Sequence, residues 1–98
     1  MLRHVVCVRW ADGTTDEQVA RLREMLAALR GAIAELRRYD FGSDAGLAEG
    51  NYDYAIVADF DDADGWRAYQ RHPDHERVLE YLQTIAPHRV RVQFEVAD

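Results

Sequence analysis

The sequence predicts an α+β fold in which helices cover one face of a four-stranded antiparallel sheet. Strand-like and helix-like segments follow one another in the order βαββααβ, which is two successive β-α-β halves. The chain has 98 residues, of which 48% are hydrophobic and 31% charged. That length and composition predict one globular domain covering residues 1–98.

The chain begins with a strand and a long amphipathic helix. Residues 3–10 are rich in β-branched side chains and read as a strand that Asp12 and Gly13 end. Thr15 and Gln18 fit a capping box at the helix start. Gly31 is placed to loosen the helix near its end. A coiled coil is the alternative interpretation of the apolar stripe, which is formed by Val19, Leu22, Leu26, Leu29, Ile33 and Leu36.

The rest of the chain contains three strands and a helical segment interrupted by proline. Residues 37–42 and 52–60 read as strands, with a polar, glycine-containing loop at 43–51 between them. Asp61, Asp62 and Asp64 suit a helix start. Pro73 interrupts this helix after His72 and is well placed to begin another, which runs to about residue 85. Residues 88–96 then form the last strand.

Side-chain alternation assigns the two faces of the sheet. The even-numbered residues of the first, third and last strands are bulky, and we expect them under the helices. On the opposite face Val5, Cys7, Ala55 and Val57 are also apolar. A second copy of the sheet is the simplest layer to cover them, so we expect a homodimer. The even-numbered sets are His4, Val6, Val8 and Trp10; Tyr52, Tyr54, Ile56 and Phe60; and Val90, Val92, Phe94 and Val96.

Composition argues against several functional classes. The net charge of −6 disfavours nucleic acid as a partner, and no apolar run reaches the ~20 residues of a membrane span. All 12 basic residues are arginines, so no lysine can form a Schiff base. The abundance of arginine and alanine is typical of a GC-rich bacterial genome. The lone Cys7 and the lack of a visible signal peptide predict a cytoplasmic protein.

The segment from Tyr69 to His75 carries the clearest candidate chemistry. His75 begins a helix whose apolar face includes Val78, so its ring should point inward. Burial and the positive end of the helix dipole both disfavour the imidazolium, which leaves a neutral general base. Tyr69 could donate its phenolic proton to a developing enolate or alkoxide. The same two residues also fit a structural pair that locks the kink at Pro73.

Further residues are candidates for binding a ligand. We expect His4 and Tyr54 to lie opposite each other on neighbouring strands and to line a pocket, although a satisfied core pair is the alternative. Ile56, Trp66 and Val78 are candidates for its apolar wall. His72 precedes a proline and is better suited to capping the next helix, with a ligand contact as its second possible role.

A metal site could be assembled on paper from His4, His72, Asp74 and His75. The kink before Pro73 places His72 poorly for joining His75 on one helical face, and no cluster has zinc-like spacing. We therefore expect no metal and no other cofactor.

The chain resembles the stress-responsive α/β-barrel (Dabb) family over nearly its whole length. The matching features include Arg3-His4-Val5-Val6 at the opening of the hydrophobic first strand, the turn Asp12-Gly13-Thr14 and the pair Phe41-Gly42. The more specific ones are Gly50-Asn51-Tyr52-Asp53-Tyr54-Ala55 and Tyr69-x-x-His72-Pro73-x-His75. The resemblance implies a ferredoxin-like subunit whose sheet pairs with that of a second copy in a dimeric α/β barrel.

The resemblance also implies a chemistry. In the plant polyketide cyclases of this family, of the olivetolic acid type, a tyrosine and a histidine of this tail motif catalyse an aldol closure without a cofactor. Tyr69 and His75 occupy those positions, and His4 matches the family's strand histidine. Two residues depart from the cyclase pattern: Tyr54 replaces a second pocket histidine, and Leu26 replaces a helix tyrosine.

The leading hypothesis is therefore a homodimer that binds a hydrophobic or aromatic small molecule. It would be a cofactor-free cyclase (lyase) or isomerase that uses His75 and Tyr69. The alternative is a non-catalytic dimeric module for stress response or assembly, with both residues hydrogen-bonded in a filled core. A haem- or flavin-dependent monooxygenase is a third hypothesis, but no residue stands out as an axial ligand. A pocket of at least ~300 Å³ reached by both side chains would separate the first two.

Overall fold

The computed structural model describes residues 1–97 and has the predicted α+β architecture. The sheet order is β2-β3-β1-β4, and every neighbouring pair is antiparallel. This is the ferredoxin-like arrangement. The elements are β1 (Leu2–Arg9), α1 (Asp16–Ala32), β2 (Arg38–Ser43), β3 (Tyr54–Phe60), α2 (Ala63–Arg71), α3 (Pro73–Ile85) and β4 (His88–Glu95).

The capping box at the start of α1 is confirmed. The Gln18 backbone N–H donates to Thr15 Oγ1 at 3.2 Å, and the Thr15 N–H donates to Gln18 Oε1 at 2.9 Å. The helix ends one residue after Gly31, so Ile33 is its C-cap and lies outside it. Leu22 and Leu26 of α1 are fully buried, so the apolar stripe of this helix packs on the sheet rather than in a coiled coil.

The third strand begins two residues later than predicted. The Asp53 carboxylate accepts a hydrogen bond from the Trp10 N–H at 2.8 Å, and the Asp53 N–H donates to the Val8 carbonyl. These bonds hold residue 53 in a turn at the end of β1. Tyr52 is therefore outside the strand, where its ring stacks on that of His88.

The predicted inner face is correct for β1 and β3 and wrong for β4. Val92 pairs with Val5 and Val90 with Cys7, and directly paired residues of antiparallel strands project to the same side. The even-numbered residues of β4 therefore lie on the face away from the helices. The inner positions of β4 are polar, and they are Arg89, Arg91 and Gln93.

The face of the sheet away from the helices is an exposed apolar surface, which we call the outer face. It consists of Val5, Cys7, Ala55, Val57, Val90, Val92 and Phe94. Val92 is 54% exposed and Phe94 45% exposed. Arg3 and Asp59 flank this surface with a two-pronged ion pair whose N–O distances are 2.8 and 2.9 Å. Among residues 1–97, no helix is both long and apolar enough to cross a membrane.

Candidate functional site

A cavity of about 320 Å³ lies between the sheet and the helices. Its polar side chains come from four elements: β1, α2, α3 and β4. Its apolar walls come mainly from α1, β3 and α3. The lining residues are His4, Val6, Leu26, Ile56, Tyr69, Gln70, His75, Val78, Leu79, Leu82, Pro87, Arg89 and Arg91.

The break between α2 and α3 positions His75 in this cavity. His72 is the N-cap of α3, and its Nδ1 accepts a hydrogen bond from the Asp74 N–H at 3.1 Å. Pro73 is the first residue of the helix, which makes His75 the third. The His75 side chain therefore turns inward one turn before Val78, and the residue is only 4% exposed.

Tyr69 and His75 touch through their rings. The ring centroids are 4.0 Å apart at an interplanar angle of 44°. The Tyr69 hydroxyl is hydrogen-bonded to the Tyr39 hydroxyl at 2.9 Å. Nδ1 of His75 is buried and has no hydrogen-bond partner among residues 1–97. The structural pair considered above has Tyr69 and His75 hydrogen-bonded to each other or to the backbone; in the structure their rings touch, and the Tyr69 hydroxyl bonds Tyr39 instead of His75.

Burial sets the protonation states in the cavity. It lowers the pKa of His75 from 6.5 to about 4, although the Gln70 backbone acts in the opposite direction. The pKa of His4 is also lowered to about 4, by burial first and then by His75 and Arg91. Burial raises the pKa of Tyr69 to about 12 against the opposing hydrogen bond from Tyr39. At neutral pH the cavity thus holds two uncharged imidazoles and a protonated phenol.

His4 is oriented by the neighbouring edge strand. Its Nδ1 accepts from the Gln93 side-chain amide at 2.8 Å, so the neutral ring carries its proton on Nε2. The predicted position opposite Tyr54 is wrong, because His4 pairs with Ala58 and Tyr54 with Val8. The Tyr54 ring packs near the end of β1 and is not part of the cavity wall.

The remaining predicted site residues divide into two groups. Ile56 and Val78 line the cavity. Trp66 contacts the His4 ring at a centroid distance of 6.1 Å but lies behind it, outside the lining. His72 also lies outside the lining, because its ring caps α3.

Several cavity or supporting residues were not predicted from the sequence, and three of them are charged or hydrogen-bonding groups near the proposed chemistry. Arg89 and Arg91 line the cavity because the inner face of β4 is the odd-numbered one. Their alternation with Val90 and Val92 is visible in the sequence, but it does not tell which set faces inward, and the prediction placed the apolar set there. Tyr39 supports Tyr69 from β2, and no motif in the sequence marks it.

No cluster of three or more potential metal ligands from His, Cys, Asp and Glu occurs within residues 1–97. The sequence offered His4, His72, Asp74 and His75 as possible ligands. In the structure Asp74 forms an ion pair with Arg77. His72 uses its Nδ1 to cap the helix.

Comparisons with known proteins agree with this fold. The family model of the stress responsive A/B barrel domain, Dabb, matches residues 2–96. An uncharacterised Streptomyces coelicolor protein is 36% identical over 81 residues, covering 78% of this chain and 80% of its own length. A dimeric ferredoxin-like protein of Thermobifida fusca is 48% identical with a TM-score of 0.91, covering 97% of this chain and 90% of that one.

A more distant structure has the same fold. The hydroxynitrile lyase of Passiflora edulis is 14% identical with a TM-score of 0.86, covering 99% of this chain and 94% of that one. At that identity the likeness concerns the fold alone. Because the family model matches nearly every residue, the chain belongs to the stress-responsive A/B barrel domain family.

Proposed function

We propose that this protein binds a hydrophobic or aromatic small molecule and catalyses a cofactor-free proton transfer that leads to cyclisation or isomerisation. His75 is the general base in this proposal, and Tyr69 is the acid. One observation carries the proposal: an uncharged imidazole, whose Nδ1 has no hydrogen-bond partner among residues 1–97, and a protonated phenol line the same cavity of about 320 Å³.

The proposed step is removal of a proton from the carbon next to a carbonyl. The lone pair of neutral His75 takes the carbon-bound proton, and the electron pair moves to the carbonyl oxygen as an enolate. Tyr69 donates a hydrogen bond or its proton to that oxygen. When the Tyr39 hydroxyl donates to Tyr69, the Tyr69 proton is left free to point at the ligand. The enolate carbon then attacks a second carbonyl or is reprotonated at another position.

Other cavity residues would orient the ligand. His4 offers its Nε2–H as a second hydrogen-bond donor, since Gln93 occupies its Nδ1. Leu26, Ile56 and Val78 supply apolar surface for a hydrocarbon or aromatic body.

The alternative hypothesis, a non-catalytic module, requires a filled core in which both residues are hydrogen-bonded. The cavity volume and the free Nδ1 of His75 favour ligand binding over that hypothesis. The Passiflora edulis protein of the same fold is a hydroxynitrile lyase, so this architecture can hold an active site. That likeness does not indicate a substrate for this chain.

We further propose that two copies pair through the outer face. Its β4 side chains Val90, Val92 and Phe94 are exposed in a single chain, and a dimeric relative is 48% identical. Cys7 is a free thiol on this face, which suits the reducing cytoplasm that we propose as its location.

The acid–base pair can be tested without the natural substrate. Nitrobenzisoxazole is an aromatic probe whose ring opens to a coloured cyanonitrophenolate when a base removes its carbon-bound proton. We expect the wild-type protein to accelerate this opening with saturation. His75→Ala should reduce kcat/KM by roughly 10²-fold or more, and Tyr69→Phe by about tenfold, because a positioned base is worth 10²–10⁴-fold.

A matched control uses another histidine. His88→Ala removes an exposed imidazole that bonds the Tyr52 hydroxyl outside the cavity, and it should leave the rate unchanged. Folded His75→Ala protein that keeps the wild-type rate would overturn the assigned base.

A further inference from the structure

The cavity has a charge opposite to that of the chain. The whole chain carries −6, yet the cavity lining contains Arg89 and Arg91 and neither aspartate nor glutamate. Two arginines and no acid make the site electropositive, so it is suited to attract anions.

Neither of these guanidinium groups is neutralised by a carboxylate among residues 1–97. Arg91 makes no hydrogen bond or ion pair there. Arg89 donates to the Ala86 carbonyl at 3.0 Å and contacts the amide oxygen of Gln83 at 3.5 Å, and both of these acceptors are uncharged. Elsewhere in residues 1–97, five arginines do pair with acids, as Arg3 does with Asp59. The two cavity arginines therefore retain unmatched positive charge.

The position of these arginines on β4 suits a single anionic group. Residues 89 and 91 are two apart on one strand, so their side chains leave the same face about 7 Å apart. Arginine side chains are long enough to converge from that spacing, and their planar forks match the geometry of a carboxylate. The apolar walls of the cavity come from other elements, namely α1, β3 and α3.

We propose that the ligand is an amphipathic carboxylate whose anionic group binds Arg91 and Arg89 while its apolar body enters the cavity. This inference rests on the proposed function and adds the substrate class. Anchoring the carboxylate at β4 directs the body of the ligand towards His75 and Tyr69. The positive charge of the arginines also favours an enolate as it forms.

The test compares two probes of the same ring system, naphthoate and its neutral amide, naphthamide. Binding is followed by the backbone amide NMR shifts of Ile56 and Val78, which report on the cavity itself. We expect naphthoate to bind roughly tenfold more tightly than naphthamide, as charge-assisted hydrogen bonds predict, with the preference shrinking as salt is added.

The variants assign the charge to named residues. Arg91→Gln should lower naphthoate affinity about fivefold or more, and the Arg89→Gln/Arg91→Gln double variant should abolish the preference over naphthamide. Naphthamide affinity should stay within about twofold throughout. Arg21→Gln removes one positive charge from the exposed side of α1 and should change neither affinity.

Two contrary outcomes are distinguishable. If both probes shift Ile56 and Val78 with equal affinity in the wild type, the carboxylate inference is overturned and the ligand-binding cavity stands. If neither probe shifts these residues at any accessible concentration, both the inference and the proposed ligand site are wrong.

Discussion

Two buried histidines are the residues on which this account depends. His4 and His75 are 3% and 4% exposed, and neither has a carboxylate beside it to stabilise its charged form. Both are therefore neutral in the folded protein over the physiological range. An uncharged imidazole without a carboxylate partner is available as a base, whereas a salt-bridged one is not.

This arrangement predicts how stability depends on pH. The pKa of each ring is about 4 when folded and 6.5 as its ordinary value, so between these limits the unfolded chain binds more protons. Burying the two rings in their neutral form therefore has its full effect on the free energy of unfolding above pH 6.5. This effect is lost as the pH falls from 6.5 to about 4. Urea unfolding should show a loss of about 2 kcal/mol per histidine between pH 7 and pH 5.

The control for this prediction is the His4→Gln/His75→Gln variant. It retains His72 and His88 but lacks the two buried imidazoles. Its free energy of unfolding should change less between pH 7 and pH 5 than that of the wild type. Equal changes in the two proteins would show that these rings are not buried in their neutral form.

At the scale of the elements, the sequence predicts order and type well and the boundaries less well. The capping box at Thr15 and the proline at residue 73 are local signals, so both helix starts are correct. Where β3 begins depends on Asp53 binding the end of β1, which is a contact between segments distant in the chain. Local pattern carries no information on such a contact.

The last strand, β4, shows how far the cavity lining can be predicted from the sequence. One of its faces is apolar and the other carries long polar side chains, and the sequence pattern predicts the apolar face under the helices. The register with β1 instead places Val90 and Val92 outside and Arg89 and Arg91 inside. Only the pairing decides this orientation, so the electropositive side of the cavity could not be predicted. His75 could be, because its helix has one apolar face.

At the scale of the whole molecule, the fold leaves one sheet face covered by helices and the other open. Three large apolar side chains of β4 are 45–54% exposed on the open face. Their exposure to water is unfavourable, and burying them against a second copy removes that cost at about 25 cal/mol per Å². The same strand would thus serve dimerisation with one face and ligand binding with the other.

The dimer proposal predicts that a charge in the middle of the outer face separates the subunits. Val92→Glu places a carboxylate opposite Val5 and should convert a dimer into a folded monomer, measured by sedimentation equilibrium with circular dichroism as the folding check. Leu47→Glu makes the same kind of change at a side chain that is 90% exposed away from this face, and it should remain dimeric. A Val92→Glu protein that sediments as a dimer would contradict the proposed interface.

The most direct test of the central claim is a pH titration of the His75 imidazole by NMR. The resonances of its ring would be assigned by comparison with His75→Gln. The account predicts that the ring stays neutral down to a pKa of about 4, because burial in the cavity disfavours its charged form. A titration midpoint near 6.5, the ordinary value for a solvated histidine, would show that the ring is open to water and is not the buried base described above.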